Sequence, residues 1–187
     1  SEMYLRINVT KHDRKYQRFL WRNCQQAKKP EVYEFQSLVF GMTSSPFLAQ
    51  YVVQYHAEQY SKKYPIAAEA LTKSTYMDDT LDSVATVEDG KRMFEELNET
   101  LAEANMKAHK WKTNSEVLQS YINKISKENF EDEKHFKLLG ISWKSKEDVL
   151  FIPFESSLIK VNENITKRSM LQLVAKIYDP MGLISPL

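Results

Sequence analysis

Cysteine is nearly missing: Cys24 is the only one in 187 residues, so no disulfide can form within the chain. That fits a reducing, intracellular setting. Long apolar runs are missing too. No stretch approaches the roughly 18 residues of a membrane span, and no secretory leader is visible, so no membrane partner is expected. Charge of one sign is not in excess: 26 Lys and Arg stand against 25 Asp and Glu, a net charge of +1. Internal repeats and low-complexity segments are absent. The four histidines, His12, His56, His109 and His135, lack the spacing of metal ligands.

What is present suits one domain, or one domain and part of a next. Hydrophobic residues make up 42% and charged residues 27%, ordinary values for a chain that buries a core. The charge is uneven along the chain. Residues 1–30 carry eight Lys or Arg against Glu2 and Asp13, and a second basic knot holds Lys107, His109, Lys110 and Lys112. Such patches either meet phosphates or form a solvated face. The chain opens on Ser inside an alternating pattern and closes on the apolar "GLISPL". Both ends read as cut, which suggests an interior piece of something longer.

Residues 3–9, "MYLRINV", alternate Met3, Leu5, Ile7 and Val9 with Tyr4, Arg6 and Asn8, which predicts a half-buried strand. Residues 16–22 and 31–38 are aromatic-rich and predict a hairpin. Ser45 before Pro46 predicts a helix N-cap, with Pro65 ending that helix. A short helical stretch, "IAAEAL", follows. Thr86, with Asp89 three residues on, caps a helix whose apolar stripe is Met93, Phe94, Leu97, Leu101 and Ala104. "HFKLLGISWKSKEDVLFIPF" predicts another hairpin, turning at "KSKED". Thr166 starts a last helix, with Met170, Leu171, Val174 and Ile177 on one face, up to Pro180. This order predicts an α+β fold, an antiparallel sheet packed on helices.

Asp78 and Asp79 stand side by side in "STYMDDTLDS", between two short β-prone runs. A hairpin is expected, with these two residues as its turn. Adjacent carboxylates are common in turns. They also repel one another, and stay ionised together only where cations compensate. Mg²⁺ prefers such hard oxygens and takes one or two protein carboxylates plus substrate phosphates. On spacing alone both readings stand.

The neighbours of the pair carry a resemblance. "YMDD" resembles the catalytic motif of reverse transcriptases, and further motifs of that family follow in order. "YEFQSLVFGMTSSPFLAQ" resembles the strand, Phe-Gly and helix beside the incoming nucleotide. "NMKAHKWKTNS" resembles the next palm motif, and "KLLGISW" the primer-grip hairpin. "HKWKTNS" and "TKRSMLQLVAKIYDPMGLISPL" look like BEL/Pao-type LTR retrotransposons rather than retroviral enzymes. The resemblance implies a polymerase palm with a ferredoxin-like core and incomplete fingers over residues 1–144, and the start of the thumb or connection over 145–187. It implies template-directed nucleotidyl transfer from a dNTP to a primer 3′ end on an RNA or DNA template. Two Mg²⁺ ions, or Mn²⁺ in their place, would serve the reaction. The rest of a retroelement polyprotein would be a partner, in the cytoplasm or in retroelement particles.

Roles follow residue by residue. Asp78 is implied as the main metal ligand and Asp79 as the supporting one. Tyr4 resembles the steric gate under the sugar, and its strand phase sets it opposite Met3, Leu5 and Ile7; a packing tyrosine is the other reading. Gly41 resembles the point of close backbone approach to the nucleotide, or serves a turn. Phe40, where many retroviral enzymes carry glutamine, implies an apolar contact. Lys110 resembles the cation or proton donor near the leaving pyrophosphate, or belongs to a solvated knot. Met77 is expected near the primer terminus or packed inward. Leu139, Gly140 and Ile141 resemble the turn that holds the primer backbone, or form an ordinary hairpin. Trp21, Trp111 and Trp143 are assigned to packing, and Cys24 to no chemistry.

The first palm motif of the family opens on an aspartate five residues before an aromatic. With Tyr4 as the aromatic, that third carboxylate is expected two residues before Ser1. The chain alone is then expected to be inactive. Two other classes remain: a non-catalytic retroelement-derived piece that binds nucleic acid weakly, and a metal-dependent nuclease, for which no further acidic cluster of suitable type is seen.

Overall fold

The computed structural model describes residues 3–127, 136–138, 141–152 and 166–176. Two compact units divide the chain, residues 1–111 and residues 112–187.

Tyr4 and Ile7 are three apart, a spacing that puts both on one face of a helical turn. The first segment takes that option. Met3–Arg6 form a short helix, α1, and Tyr4 and Ile7 are buried with Leu38 and Ala49. Leu5, which a strand would turn inward, is 60% exposed. The strand expected over 3–9 is therefore reduced to one antiparallel bridge, Asn8 to Ser37, with the Val9 amide donating to Gln36 O at 2.8 Å and the Leu38 amide to Ile7 O at 2.9 Å. Burying the Tyr4 ring decides for the helix over the alternating pattern.

The aromatic-rich hairpin forms, but with shorter strands. β1 (Arg18–Trp21) pairs antiparallel with β2 (Glu31–Glu34) in the register Phe19 to Tyr33. All eight residues are exposed. Phe19 instead stacks on its own ribbon, 5.8 Å from Tyr33 and 4.8 Å from Phe35.

α2 (Ser45–Tyr60) begins one residue away from the expected cap. Ser44 is the N-cap, and Ser45 turns inward to donate from Oγ to Val39 O at 2.6 Å. Pro65 does not end α2, which stops at Tyr60. Proline has no amide hydrogen and suits the first helical position, and Pro65 opens the next helix, α3 (Pro65–Lys73).

α3 is the centre of the first unit. Ala67, Ala68, Ala70 and Leu71 are buried against Val53 and Ala57 of α2 and against Leu97 of α4 (Val87–Glu103). Ala57, Ala67 and Ala70 are 0% exposed. Side chains this small let helix backbones approach closely, so added volume has nowhere to go. The α3 N-terminus needs partners for its first amides. Glu96 of α4 supplies them: its Oε2 accepts from the Ile66 amide at 2.8 Å and the Ala67 amide at 3.2 Å. His56 links α2 to α4 through Nε2, 2.7 Å from Thr100 O.

The expected cap of α4 is present. Thr86 Oγ1 accepts from the Asp89 amide at 3.1 Å and donates to Asp89 Oδ2 at 2.7 Å. Phe94 and Leu97 of its stripe are buried, Met93 and Leu101 pack on the core, and Ala104 is the C-cap.

The second unit holds α5 (Glu116–Ser126), a helix the sequence reading did not place. Its signals are Ser115, whose Oγ accepts from the Leu118 amide at 3.3 Å, and Leu118 with Ile122 four residues on, both buried. β5 (Phe136–Leu138), β6 (Ile141–Lys144) and β7 (Val149–Phe151) form an antiparallel sheet in that order. The β6–β7 turn falls within "KSKED" as expected. Asp148 anchors it, accepting from Trp143 Nε1 and from Asn114 Nδ2, both at 3.1 Å. α6 (Lys167–Val174) starts after Thr166, as expected; Ile177 and Pro180 lie outside the described residues.

The fold is α+β. The single sheet expected from the strand order is instead three separate antiparallel sheets, two of two strands and one of three, among the described residues.

Replacing Glu96 with Ala leaves two α3 amides without their carboxylate. A loss of about 1–2 kcal/mol is expected in urea unfolding, with Glu96→Gln losing less.

Candidate functional site

The hairpin that carries the aspartates grows directly from α3. The Ser74 amide closes the helix on Ala70 O at 2.9 Å. β3 (Thr75–Tyr76) then pairs with β4 (Asp79–Thr80), Thr75 opposite Thr80 and Tyr76 opposite Asp79. This register makes the turn Met77–Asp78, one residue earlier than the expected Asp78–Asp79. Met77 takes φ +57, a left-handed conformation that a side chain disfavours. The Leu81 amide donates to Ser74 O at 2.9 Å and closes the base. Two hydroxyls bind there as well: Thr75 Oγ1 lies 2.8 Å from Thr80 Oγ1 and donates to Ala70 O at 3.1 Å.

Asp78 and Asp79 are both exposed, while Met77 is half-buried. The Asp79 carboxyl is held above the usual carboxylate range, first by partial burial and then by the charge of Asp78; the charge of Lys110 opposes both. Lys110 is thus close enough to act on Asp79. It is exposed and takes φ +61. Its neighbours in sequence hold it in place: Met106 packs on the core, and Trp111 meets the Phe94 ring edge-on at 4.9 Å. Lys107 and His109 of the same knot are exposed too. Among the described residues, no third His, Cys, Asp or Glu joins the two aspartates in a metal-ligating group.

A second group brings Tyr4, Phe40 and Gly41 together. The Tyr4 and Phe40 rings lie 4.4 Å apart at 36°. Tyr4 is only 8% exposed, not opposite the core face as the strand phase implied, because α1 turns it inward with Ile7. Phe40 covers it and is itself 62% exposed. Gly41 takes φ +88, and a Cβ there would meet open space. Its glycine therefore answers to backbone conformation and not to crowding. The Tyr4 group and the α3 group share Met3 and Met106 as packing partners, so the aromatic pair and the carboxylate hairpin stand on adjoining parts of one core.

Ile141 begins β6 in the second unit and is half-buried. Leu139 and Gly140 lie outside the described residues. The sequence reading passed over Thr75, Thr80 and Glu96. Threonines on both sides of a hairpin turn, five residues apart, were a usable signal for the first two. Glu96 carried none, since its partners lie 30 and 29 residues away.

A family model described as reverse transcriptase (RNA-dependent DNA polymerase) matches residues 1–143. No curated protein matches the chain.

The raised pKa of Asp79 fixes the sign of a pH effect. Its contribution to stability is full below the ordinary carboxylate pKa, and is lost as pH rises through the higher value in the folded chain. Asp79→Asn should therefore melt higher than the parent chain at pH 7 without metal. Because the residue is exposed and screened by solvent, the gain should be about 1 °C. The difference should vanish in melts taken at acid pH, where the carboxyl is neutral.

Proposed function

The chain belongs to the reverse transcriptase family, the RNA-dependent DNA polymerases, and we propose that its Asp78–Asp79 hairpin holds the metal ions of nucleotidyl transfer. One observation carries this reading: two exposed carboxylates are consecutive at the tip of a short hairpin with a strained turn, and ionisation of Asp79 is opposed first by partial burial and then by the charge of Asp78. A bound cation relieves that opposition, and hard oxygen donors suit Mg²⁺, with Mn²⁺ as a substitute. Asp78 is the main ligand and Asp79 the supporting one. When bound, two such ions supply an activated primer 3′ hydroxyl and charge compensation for the dNTP triphosphate.

The chain's own residues do the rest. The exposed face of Phe40, backed by Tyr4, forms an apolar floor for the sugar and base of the incoming nucleotide, and Tyr4 limits room at the 2′ position through Phe40, which it supports. Gly41 keeps its backbone free of a side chain beside that floor. Lys110, whose charge already acts on Asp79, serves as cation or proton donor at the leaving pyrophosphate. Met77 borders the primer terminus. Leu139, Gly140 and Ile141 hold the primer backbone. The basic N-terminal segment and the Lys107–Lys112 knot contact phosphates of an RNA or DNA template and its primer.

Residues 1–144 are read as palm with part of the fingers and 145–187 as the start of the thumb or connection. "HKWKTNS" and "YDPMGLISP" support a BEL/Pao-type retrotransposon origin, with the remainder of a retroelement polyprotein as partner in the cytoplasm or in particles. The alternative reading is a non-catalytic retroelement-derived piece that keeps the polymerase fold and binds nucleic acid weakly.

In a protein that carries this chain and extends primers, Asp78→Asn should lower primer extension roughly a thousandfold or more and leave template–primer affinity within about threefold, because base and phosphate contacts are assigned to other residues. Gel extension assays and fluorescence anisotropy read the two effects. Lost binding or retained extension contradicts the role given to Asp78.

A further inference from the structure

We infer that Thr75 is a positioning residue for the carboxylate pair, acting through a hydroxyl chain that ties the hairpin to the end of α3. The inference rests on the functional reading above and goes beyond it to a residue that touches neither metal nor substrate.

The argument begins with hydrogens. A threonine hydroxyl has one hydrogen to donate and two lone pairs to accept with. Thr75 Oγ1 donates to Ala70 O at 3.1 Å, which uses its hydrogen. The 2.8 Å contact between Thr75 Oγ1 and Thr80 Oγ1 must then run from Thr80 to Thr75. The chain has one direction: Thr80 hydroxyl to Thr75 hydroxyl to Ala70 carbonyl. Ala70 O also accepts the Ser74 amide at 2.9 Å, so both of its lone pairs are in use.

Position gives this chain its consequence. Ala70 is fully buried in the core face of α3, and the N-terminus of the same helix is clasped by Glu96. Thr75 and Thr80 are the cross-strand pair at the base of the hairpin, one rung below Tyr76 and Asp79. The strands are only two residues long each, and an isolated hairpin of this length is not stable in water. Among the described residues, its backbone ties at the root are the Leu81 amide to O of Ser74, the residue that caps α3, and the Ser74 amide to Ala70 O. The hydroxyl chain adds a side-chain tie to these backbone bonds, and it holds both strands to a carbonyl of the fully buried Ala70. Swivelling of the hairpin, which would carry Asp78 and Asp79 away from a fixed metal position, is opposed at its root.

Thr75→Val keeps the β-branched shape and removes the chain; Thr75→Ser keeps the hydroxyl; Thr80→Ala removes only the upper link. Amide hydrogen exchange of the 187-residue chain, without metal, should show the Leu81 amide exchanging roughly fivefold faster in Thr75→Val. Thr75→Ser should exchange at the parent rate, with Thr80→Ala between. Core amides of α3 and α4 should keep their rates in all three. In a second arm, Mn²⁺ is titrated and the paramagnetic broadening of the Asp78 amide is followed. Thr75→Val should need about threefold more Mn²⁺ for the same broadening, and Thr75→Ser no more than the parent. A parent chain whose Asp78 amide stays sharp with Mn²⁺ overturns the metal reading of the hairpin, and this inference with it. A parent that binds Mn²⁺, with Thr75→Val unchanged in both arms, overturns the positioning role alone.

Discussion

The clasp of Glu96 on the first amides of α3 is the contact on which the placement of the site depends. A nine-residue helix with an alanine face has little side-chain surface to grip, and packing alone leaves it able to slide along its neighbours. The carboxylate fixes one end along the axis, and the buried alanines set the distance to α2 and α4. The direction of the helix is then determined, and so is the point at which the chain leaves it. The carboxylates follow eight and nine residues after Ala70, too few for an independent course.

Around that mount the chain concentrates unfavourable terms. Two like charges are adjacent, one of them partly desolvated, and the turn between the strands carries a left-handed methionine. Lys110, also left-handed, answers the charge from a separate segment. None of these would persist in a loose loop. They persist because α3 on one side and the Met106 and Trp111 anchors on the other leave the backbone no alternative of lower energy.

How far the sequence spoke depended on how local each cause was. The Thr86–Asp89 cap, the hairpin at residues 74–83 and the "KSKED" turn are short-range events, and each could be read. Residues 3–9 satisfied two periods at once, and the burial of Tyr4 under Phe40, a partner 36 residues on, decided between them. Pro65 carries both a stop signal and a start signal, and only the end of α2 at Tyr60 tells which applies. α5 was hidden by its polar neighbours, although Ser115 and the Leu118–Ile122 pair marked it. For the site, the paired aspartates and Lys110 were legible as candidates. The one-residue shift of the turn was not, because methionine gives no warning of a positive φ, as glycine does.

That methionine has a further meaning for the hairpin. Glycine at position 77 would accept the same φ without strain, and would also accept many others. The side chain of Met77 closes those other conformations while tolerating the one in use. The turn thus exchanges comfort for definition: a slightly unfavourable backbone, held in a narrow well, limits the directions in which the chain can enter and leave it.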